Sequence, residues 1–285
     1  MAISIRMIRP DDADACGRIC YEAFHAIASA HNFSPDFPSP DHTIGLIRSL
    51  AGQPGCFGVV AEVDGRIAGS NFLDEGNPIA GVGPITVDPR RQNSGVGVRL
   101  MRAVMERSAS KGFAGTRLVQ AGYHCRSLSL YAKLGFDIRE HLSCFQGTPI
   151  RESTNGYTVR PATERDIAEC NALCTRIHGF ARGGDLGDAV KHGAARVVER
   201  AGRITAYATQ IAFFAHAVGE TTDDLKALIS AADGFGGPGF LVPSRNGELM
   251  RWCLGKSLRI TQTMTLMTTG LYSEPQGVWL PSILY

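Results

Sequence analysis

What most constrains this chain is that it repeats itself. Laid over itself at an offset of 154, Arg6 meets Arg160, Asp12 meets Asp166, Cys16 meets Cys170 and Cys20 meets Cys174. Farther on, Val59-Val60 with Gly65-Arg66-Ile67 falls over Val197-Val198 with Gly202-Arg203-Ile204. Later still, Leu130 through Phe136 falls over Trp252 through Leu258. The offset shrinks to about 137 and then to 122, so the second copy has shorter loops. Three matches in the same order imply a duplicated unit. At about 100–200 residues per domain, 285 residues hold two such units. The division reads as a first domain over 1–147, a linker over 148–156 that is rich in Thr, Pro, Ser, Asn and Gly, and a second domain over 157–285.

Composition removes several classes of function. Apolar residues make up 44% and charged residues 20%, enough for each half to bury a core. The net charge of +2 and the lack of a Lys/Arg block argue against nucleic acid or a membrane surface as partner. Eight cysteines are too sparse for a disulfide scaffold. Cys16 and Cys20 share one helical face with no further ligands nearby, so they read as small core thiols, and no metal is expected. Met1 to Cys16 carries charge throughout and does not read as a secretory signal. The most apolar window, Ile204 to Val218, is shorter than the ~20 residues of a membrane helix and reads as a buried strand pair. A cytoplasmic, reduced protein is expected.

Each copy opens with an extended segment and a helix, with Asp12 as candidate N-cap in the first. Phe57–Val63 and Arg66–Leu73, joined by Asp64-Gly65, read as a β-hairpin. Val82 to Val87 is β-branched and reads as a strand, but Pro84 cannot donate to a ladder and forces the strand away from a neighbour. Then comes Asp88-Pro89-Arg90-Arg91-Gln92-Asn93-Ser94-Gly95-Val96-Gly97, and an amphipathic helix with Leu100, Met101, Val104 and Met105 on its apolar face. A glycine-rich loop feeding a helix N-terminus is an anion cradle, because the first turn's N–H groups are unpaired and the dipole favours negative charge. It is not a dinucleotide fingerprint, since Leu100 stands where the third glycine belongs. Nor does Gly255-Lys256-Ser257 make a P-loop, since Met250 occupies the first glycine's place.

The remaining pattern, Gln92-x-x-Gly95-x-Gly97 after a strand ending in Val-Asp-Pro, resembles the acetyl-CoA pyrophosphate loop of the GNAT superfamily of N-acetyltransferases. Tyr131-Ala132-Lys133-Leu134-Gly135-Phe136 is similar to that family's second hallmark, and Thr116–Gln120 reads as the strand between. The resemblance covers about residues 3–147. It implies an α/β (α+β) fold of two tandem GNAT-like domains, each a mixed, mostly antiparallel sheet with a splayed central strand pair flanked by helices. It also implies acetyl-CoA as cosubstrate, with its pyrophosphate on Gln92, Asn93, Ser94, Gly95, Val96 and Gly97. Ile85, Thr86 and Val87 would line the pantetheine, and a backbone N–H near Ile85 would polarise the thioester.

Catalytic roles follow from the same resemblance. Tyr131 stands where the family places the acid for the leaving thiolate; its other reading is a packed helix tyrosine. His124 takes the place of a common asparagine, and either reaches the ligands or is a satisfied strand-end histidine. Glu75 is the candidate base for the amine, against a solvated loop carboxylate. His31, Phe33, Asp36 and Phe37 lie in a proline-rich loop on the family's acceptor side, suited to a cationic amine. In the second copy a strand read over Ile211–Val218 leads into Glu220, Asp223 and Asp224 where the cradle would be, and Cys253 replaces the tyrosine. Like charge there opposes anion binding. The second copy therefore reads as a degenerate structural partner that closes one wall of the acceptor cleft, with the tail Tyr272–Tyr285 packed on the body. Two functions follow: an N-acetyltransferase acting on a small-molecule amine by direct attack in a ternary complex, or a non-catalytic acyl-CoA sensor. The sequence gives no reading of oligomeric state.

Overall fold

The computed structural model describes residues 2–283. The first copy runs β1 (Ile3–Met7), α1 (Ala13–Ala30), α2 (Pro40–Gly52), β2 (Cys56–Val63), β3 (Arg66–Asp74), β4 (Ala80–Val82), β5 (Thr86–Val87), α3 (Val96–Ser110), β6 (Gly115–Ala121), α4 (Cys125–Lys133) and β7 (Asp137–Gln146). The second runs β8 (Thr158–Pro161), α5 (Ile167–His178), α6 (Gly183–Lys191), β9 (Arg196–Arg200), β10 (Arg203–Ala208), β11 (Ala217–Gly219), α7 (Thr222–Ser230), β12 (Phe240–Pro243), α8 (Gly247–Gly255) and β13 (Arg259–Gly270), followed by β14 (Val278–Leu280). Apart from β5 and β14, the two copies share one order of elements.

The repeat has a physical counterpart at the start of each copy. Arg6 bridges Asp12 and Glu62, each at 2.7 Å. Arg160 bridges Asp166 at 2.8 Å and Glu199 at 2.7 Å. Each triad ties the entrance of the first helix to the second strand, so Arg and Asp recur because they do the same work twice. Asp12 itself does not cap α1; its carboxylate accepts the Arg9 N–H at 2.7 Å and faces Arg6.

β2 is buried on both faces. Val59, Ala61 and Val63 meet the apolar side of α3 (Val96, Leu100, Met101, Val104), while Val60 and Phe72 meet Cys16, Cys20 and Ile47 of α1 and α2. Burial pushes the Cys16 thiol up to about 12, so it serves as a small apolar group. The β2–β3 hairpin turns at Asp64-Gly65, both at positive φ, as expected of its two-residue turn.

The strand expected over Val82–Val87 is broken into β4 and β5 around Gly83-Pro84. β4 runs parallel to β6 only at Ala80–Thr116 and Gly81–Arg117. β5 then stays on β3 (Gly69–Val87, Ser70–Thr86) while β6 continues to Ala121, and a gap opens between them. Gly69 permits this, since a Cβ there would lie 2.3 Å from the Thr86 carbonyl oxygen. This is the splayed pair.

The residue 148–156 segment separates the copies along the chain but not in the sheet. One sheet runs β1-β2-β3-β4-β6-β13-β7-β12, so β13 from the second copy lies between two strands of the first. Thr265 pairs Gln120 on one side, and Met264 pairs Leu142 on the other. β12 then joins the outer edge of β7 at Leu241–Cys144. The remaining strands form a second sheet, β14-β11-β10-β9-β8. The strand expected over Ile211–Val218 is confined to β11; residues 209–216 loop instead, with a bridge from Ala212 to Gly236. The tail packs on the body through β14, with Trp279 buried and paired to Val218; Tyr285 lies outside the described residues. Among the described residues no helix is long and apolar enough to cross a membrane.

Candidate active site

The gap between β5 and β6 opens into a cavity of about 320 Å³. Ile85, Thr86 and Val87 form one wall and Leu118 to Ala121 the other. At one end stands the loop before α3. Asp88 fixes the approach, its carboxylate accepting the Arg90 N–H at 2.9 Å. Gly95 then enters the helix at φ +89°, a left-handed conformation that costs an L side chain about 1–2 kcal/mol. No side chain caps this helix start. Arg99 N–H is bonded back to the Gly95 carbonyl at 3.2 Å, so the amides that precede it face outward. Gln92, Asn93, Gly95 and Gly97 line the cavity. Ser94 and Val96 do not: the Ser94 hydroxyl turns back to the Arg91 carbonyl, and Val96 is buried in the core. Arg126 donates to Gln92 Oε1 at 2.6 Å and adds positive charge beside the loop.

The corresponding place in the second copy is filled by the protein's own acids. Thr221 starts α7, and its N–H and hydroxyl donate to Asp224 Oδ2 at 2.8 and 2.7 Å. Asp224 Oδ1 accepts from Thr205 at 2.5 Å, and Glu220 is clamped by Arg203 at 2.6 Å. β14 takes the free edge of β11 and touches β12, where the first copy has its cavity. The only helix start of the two left uncapped is that of α3.

Tyr131 of α4 lines the cavity, buried among Val96, Leu100 and Leu118. Burial pushes its phenol up to about 12, so it holds its proton at neutral pH. The Ser127 hydroxyl lies 2.6 Å from His124 Nδ1. Burial pushes His124 down to about 4, with Arg126 and His31 adding repulsion, so its ring is neutral. His124, Ser127 and Tyr131 all line the cavity.

Glu75 does not join them. It lies outside the cavity lining, gripped by Arg107 at 2.6 and 2.9 Å. That hydrogen bond holds its carboxyl below the ordinary 4.5, which makes it a weaker proton acceptor. The expectation of Glu75 as base is corrected on this ground. Glu75→Gln should leave turnover within about twofold, and lower stability at neutral pH by about 1 kcal/mol, the scale of a partly exposed pair. Because the folded value is depressed, that contribution is complete above the unfolded value and is lost as pH falls through the folded one. Thermal melts of both proteins at pH 7 and pH 3 check this; equal differences at the two pH values would contradict it.

The other end of the cavity is lined from both copies. Phe24, Phe37 and Tyr123 of the first copy and Phe213, Phe214 and Met264 of the second line it. Phe33 stacks on Tyr123 at 4.2 Å, holding the proline-rich loop against the site, although Phe33 and His31 are not on the cavity wall. Asp36 and Gln120 are on the wall, and Gln262, which is not, bonds to Asp36; the sequence reading passed over both glutamines. Gln120 lines the cavity with both amide atoms buried and unpartnered, and Gln262 of β13 donates to Asp36 Oδ1 at 3.2 Å. The one sequence signal of Gln120 is an amide interrupting an otherwise apolar strand, Leu118-Val119-Gln120-Ala121. No cluster of His, Cys, Asp and Glu able to hold a metal is found among the described residues.

Residues 22–136 match the model of the Acetyltransferase (GNAT) family. Among solved structures, a candidate acetyltransferase from Pyrococcus horikoshii is similar over 97% of this chain and 94% of its own, at 17% identity and a TM-score of 0.74. A GCN5-related N-acetyltransferase from Sphaerobacter thermophilus is similar over 95% of this chain and 96% of its own, at 14% identity and a TM-score of 0.66. At these identities the likeness is one of fold, and it spans both copies. No curated protein matches the chain.

Proposed function

We propose that the protein, whose residues 22–136 match the GNAT acetyltransferase family model, is an N-acetyltransferase that moves an acetyl group from acetyl-CoA to the amine of a small molecule. The observation that carries this reading is the uncapped start of α3, opened by Gly95 at the end of the splayed cavity. A diphosphate supplies the acceptors its outward amides lack. The backbone of Gln92 to Gly97, including Asn93, Ser94 and Val96, holds that diphosphate. The pantetheine arm runs between Ile85, Thr86 and Val87 on one side and β6 on the other, where the parting of the strands leaves backbone groups to pair with it. A backbone N–H near Ile85 polarises the thioester carbonyl.

The reaction is direct attack in a ternary complex. The neutral amine nitrogen bonds to the acetyl carbon, the carbon–sulfur bond breaks, and Tyr131 gives its proton to the departing thiolate. The nitrogen's surplus proton leaves to solvent or back to the tyrosinate, which restores the enzyme. His124 holds the Ser127 hydroxyl at the cavity wall; its depressed basicity suits it to positioning better than to proton abstraction. The second copy supplies β13 to the sheet and an acceptor wall, and binds no cofactor of its own. We propose that the chain divides into a catalytic first domain (1–147), a linker (148–156) and a degenerate second domain (157–285).

Thiol release from acetyl-CoA across an amine panel tests the reading. Amine-dependent release of free CoA with formation of the amide is expected. Saturable CoA binding with no release for any amine would leave a sensor instead of an enzyme.

A further inference from the structure

The cavity passes from one face of the larger sheet to the other. Side chains alternate along β6: Leu118 belongs to the core under α3, whereas Val119 and Ala121 pack with Phe213 and Met264. That second face is the one α1 and α2 cover at Val60 and Phe72. The cradle at the start of α3 serves the first face. The cavity ends on the second, against Phe24 and Ile27 of α1 and Leu46 of α2. Two properties of this end narrow what it takes. One is charge. Asp36 is the sole carboxylate among the residues lining the cavity, and the sole guanidinium there, Arg126, is engaged by Gln92 of the cradle loop. Asp36 is half-buried, with Oδ1 accepting from Gln262 at 3.2 Å. The other is aromatic surface from the second copy. The Phe213 N–H donates to the Gly236 carbonyl at 3.1 Å, and its carbonyl accepts from Ile283 at 2.9 Å. Phe213 is 4% exposed and anchors its loop. Phe214 beside it lines the same cavity and is 48% exposed, so its ring is surface that a ligand can cover.

We propose that this end binds the acceptor as an ammonium carried on an apolar body, with Asp36 as its charge partner and Phe214 of the second copy as the residue that selects the body. Burial raises the pKa of Asp36, and a cation beside it favours the ionised form again, so ligand and carboxylate stabilise each other's charge. Burial and the Asp36 charge push the Tyr123 phenol up to about 12, which sets that ring near the carboxylate. An ammonium is also attracted to the face of such a ring. An apolar body gains by covering Phe214, which a short or polar amine does not. A polyamine brings several charges to a cavity lined by one carboxylate. The second copy thus does more than complete the sheet: its 209–216 loop, where a strand was expected, carries the side chain that reads the substrate. This inference deepens the acetyl-transfer reading and rests on it for the reaction, but not for binding.

The test compares 2-phenylethylamine, ethylamine and spermidine, using the full chain. With the wild type, kcat/KM for 2-phenylethylamine should exceed that for each of the other two by at least about tenfold. Phe214→Ala should lower the ratio of kcat/KM for 2-phenylethylamine over ethylamine about tenfold. Asp36→Asn keeps an oxygen for Gln262 and removes the charge, and should raise KM about tenfold for both monoamines. Calorimetric affinity for CoA within about threefold of wild type shows that both variants fold and that the cradle is intact. Preference for ethylamine or spermidine would overturn the proposal, as would an unchanged ratio in Phe214→Ala or an unchanged KM in Asp36→Asn. Calorimetric titration of 2-phenylethylamine in the presence of CoA reads the site without turnover. Binding weakened in both variants supports the proposal, and absence of binding in the wild type overturns it. Failure of the acetyl-transfer reading is recognised separately, as absence of CoA binding or of thiol release.

Discussion

Tyr131→Phe should lower kcat by about 100-fold, the usual contribution of one positioned acid, and leave the affinity for CoA within about threefold of wild type. The fold should survive the change. Tyr131 is packed among Val96, Leu100 and Leu118, and its ring contacts Phe136 at a centroid distance of 6.3 Å, all of which phenylalanine retains. What is removed is the phenolic hydroxyl of a residue that lines the cavity. A 100-fold loss corresponds to about 2.7 kcal/mol of transition-state stabilisation, carried by a proton the thiolate needs only as the carbon–sulfur bond breaks. The pH profile gives an independent reading. With the phenol pushed up to about 12, the acid stays protonated through neutral and mildly alkaline pH, so wild-type kcat should show no fall from its loss below pH 10. Pre-steady-state kinetics at saturating acetyl-CoA measures the chemical step; unchanged kcat in the phenylalanine variant would reject the acid role and leave Tyr131 as packing.

Gly95→Glu should abolish the stabilisation that CoA confers. A ligand at 100 times its Kd raises folding stability by about 2.7 kcal/mol, and this variant should show none of it. Two effects must be separated. Any side chain at φ +89° strains the backbone by about 1–2 kcal/mol, a loss visible in the free protein. A carboxylate beside the outward amides adds repulsion against the diphosphate, visible only as a lost response to ligand. No heavy atom lies within 4 Å of a Cβ built at Gly95, so the new side chain has room and need not disrupt its neighbours. Gly95→Ala is the control. It should melt earlier than wild type in the free state yet still shift upward with CoA. Differential scanning of the three proteins with and without CoA gives both terms; a full upward shift in Gly95→Glu would mean the cradle lies elsewhere.

These effects were foreseeable where the physics is local. A glycine-bearing turn followed by an apolar helical face is written within a dozen residues, so the α3 start, Gln92, Gly95 and Gly97 could be read directly. The same holds for the Asp64-Gly65 hairpin and for the acids that fill the second copy's helix start. Long-range partners were not legible. Glu75 stands in the expected place along the chain, but its fate is decided by Arg107, 32 residues away. Gln262 sits in Thr261-Gln262-Thr263, which reads as an ordinary polar strand segment. Its burial follows from β13 entering between β6 and β7, a pairing that depends on the other copy's register. The plugging of the second copy by β14 was hidden for the same reason: the short apolar run at Val278–Leu280 has meaning only beside β11.

Acetyl transfer as proposed needs a single anion site, at the start of α3 and none in the second copy. A crystal structure of the protein soaked in CoA tests it most directly. The diphosphate should lie on the main-chain amides between Gln92 and Gly97, with the pantetheine arm passing between β5 and β6 toward Tyr131. A diphosphate at the start of α7, or a pantetheine arm that avoids the gap between β5 and β6, would contradict it.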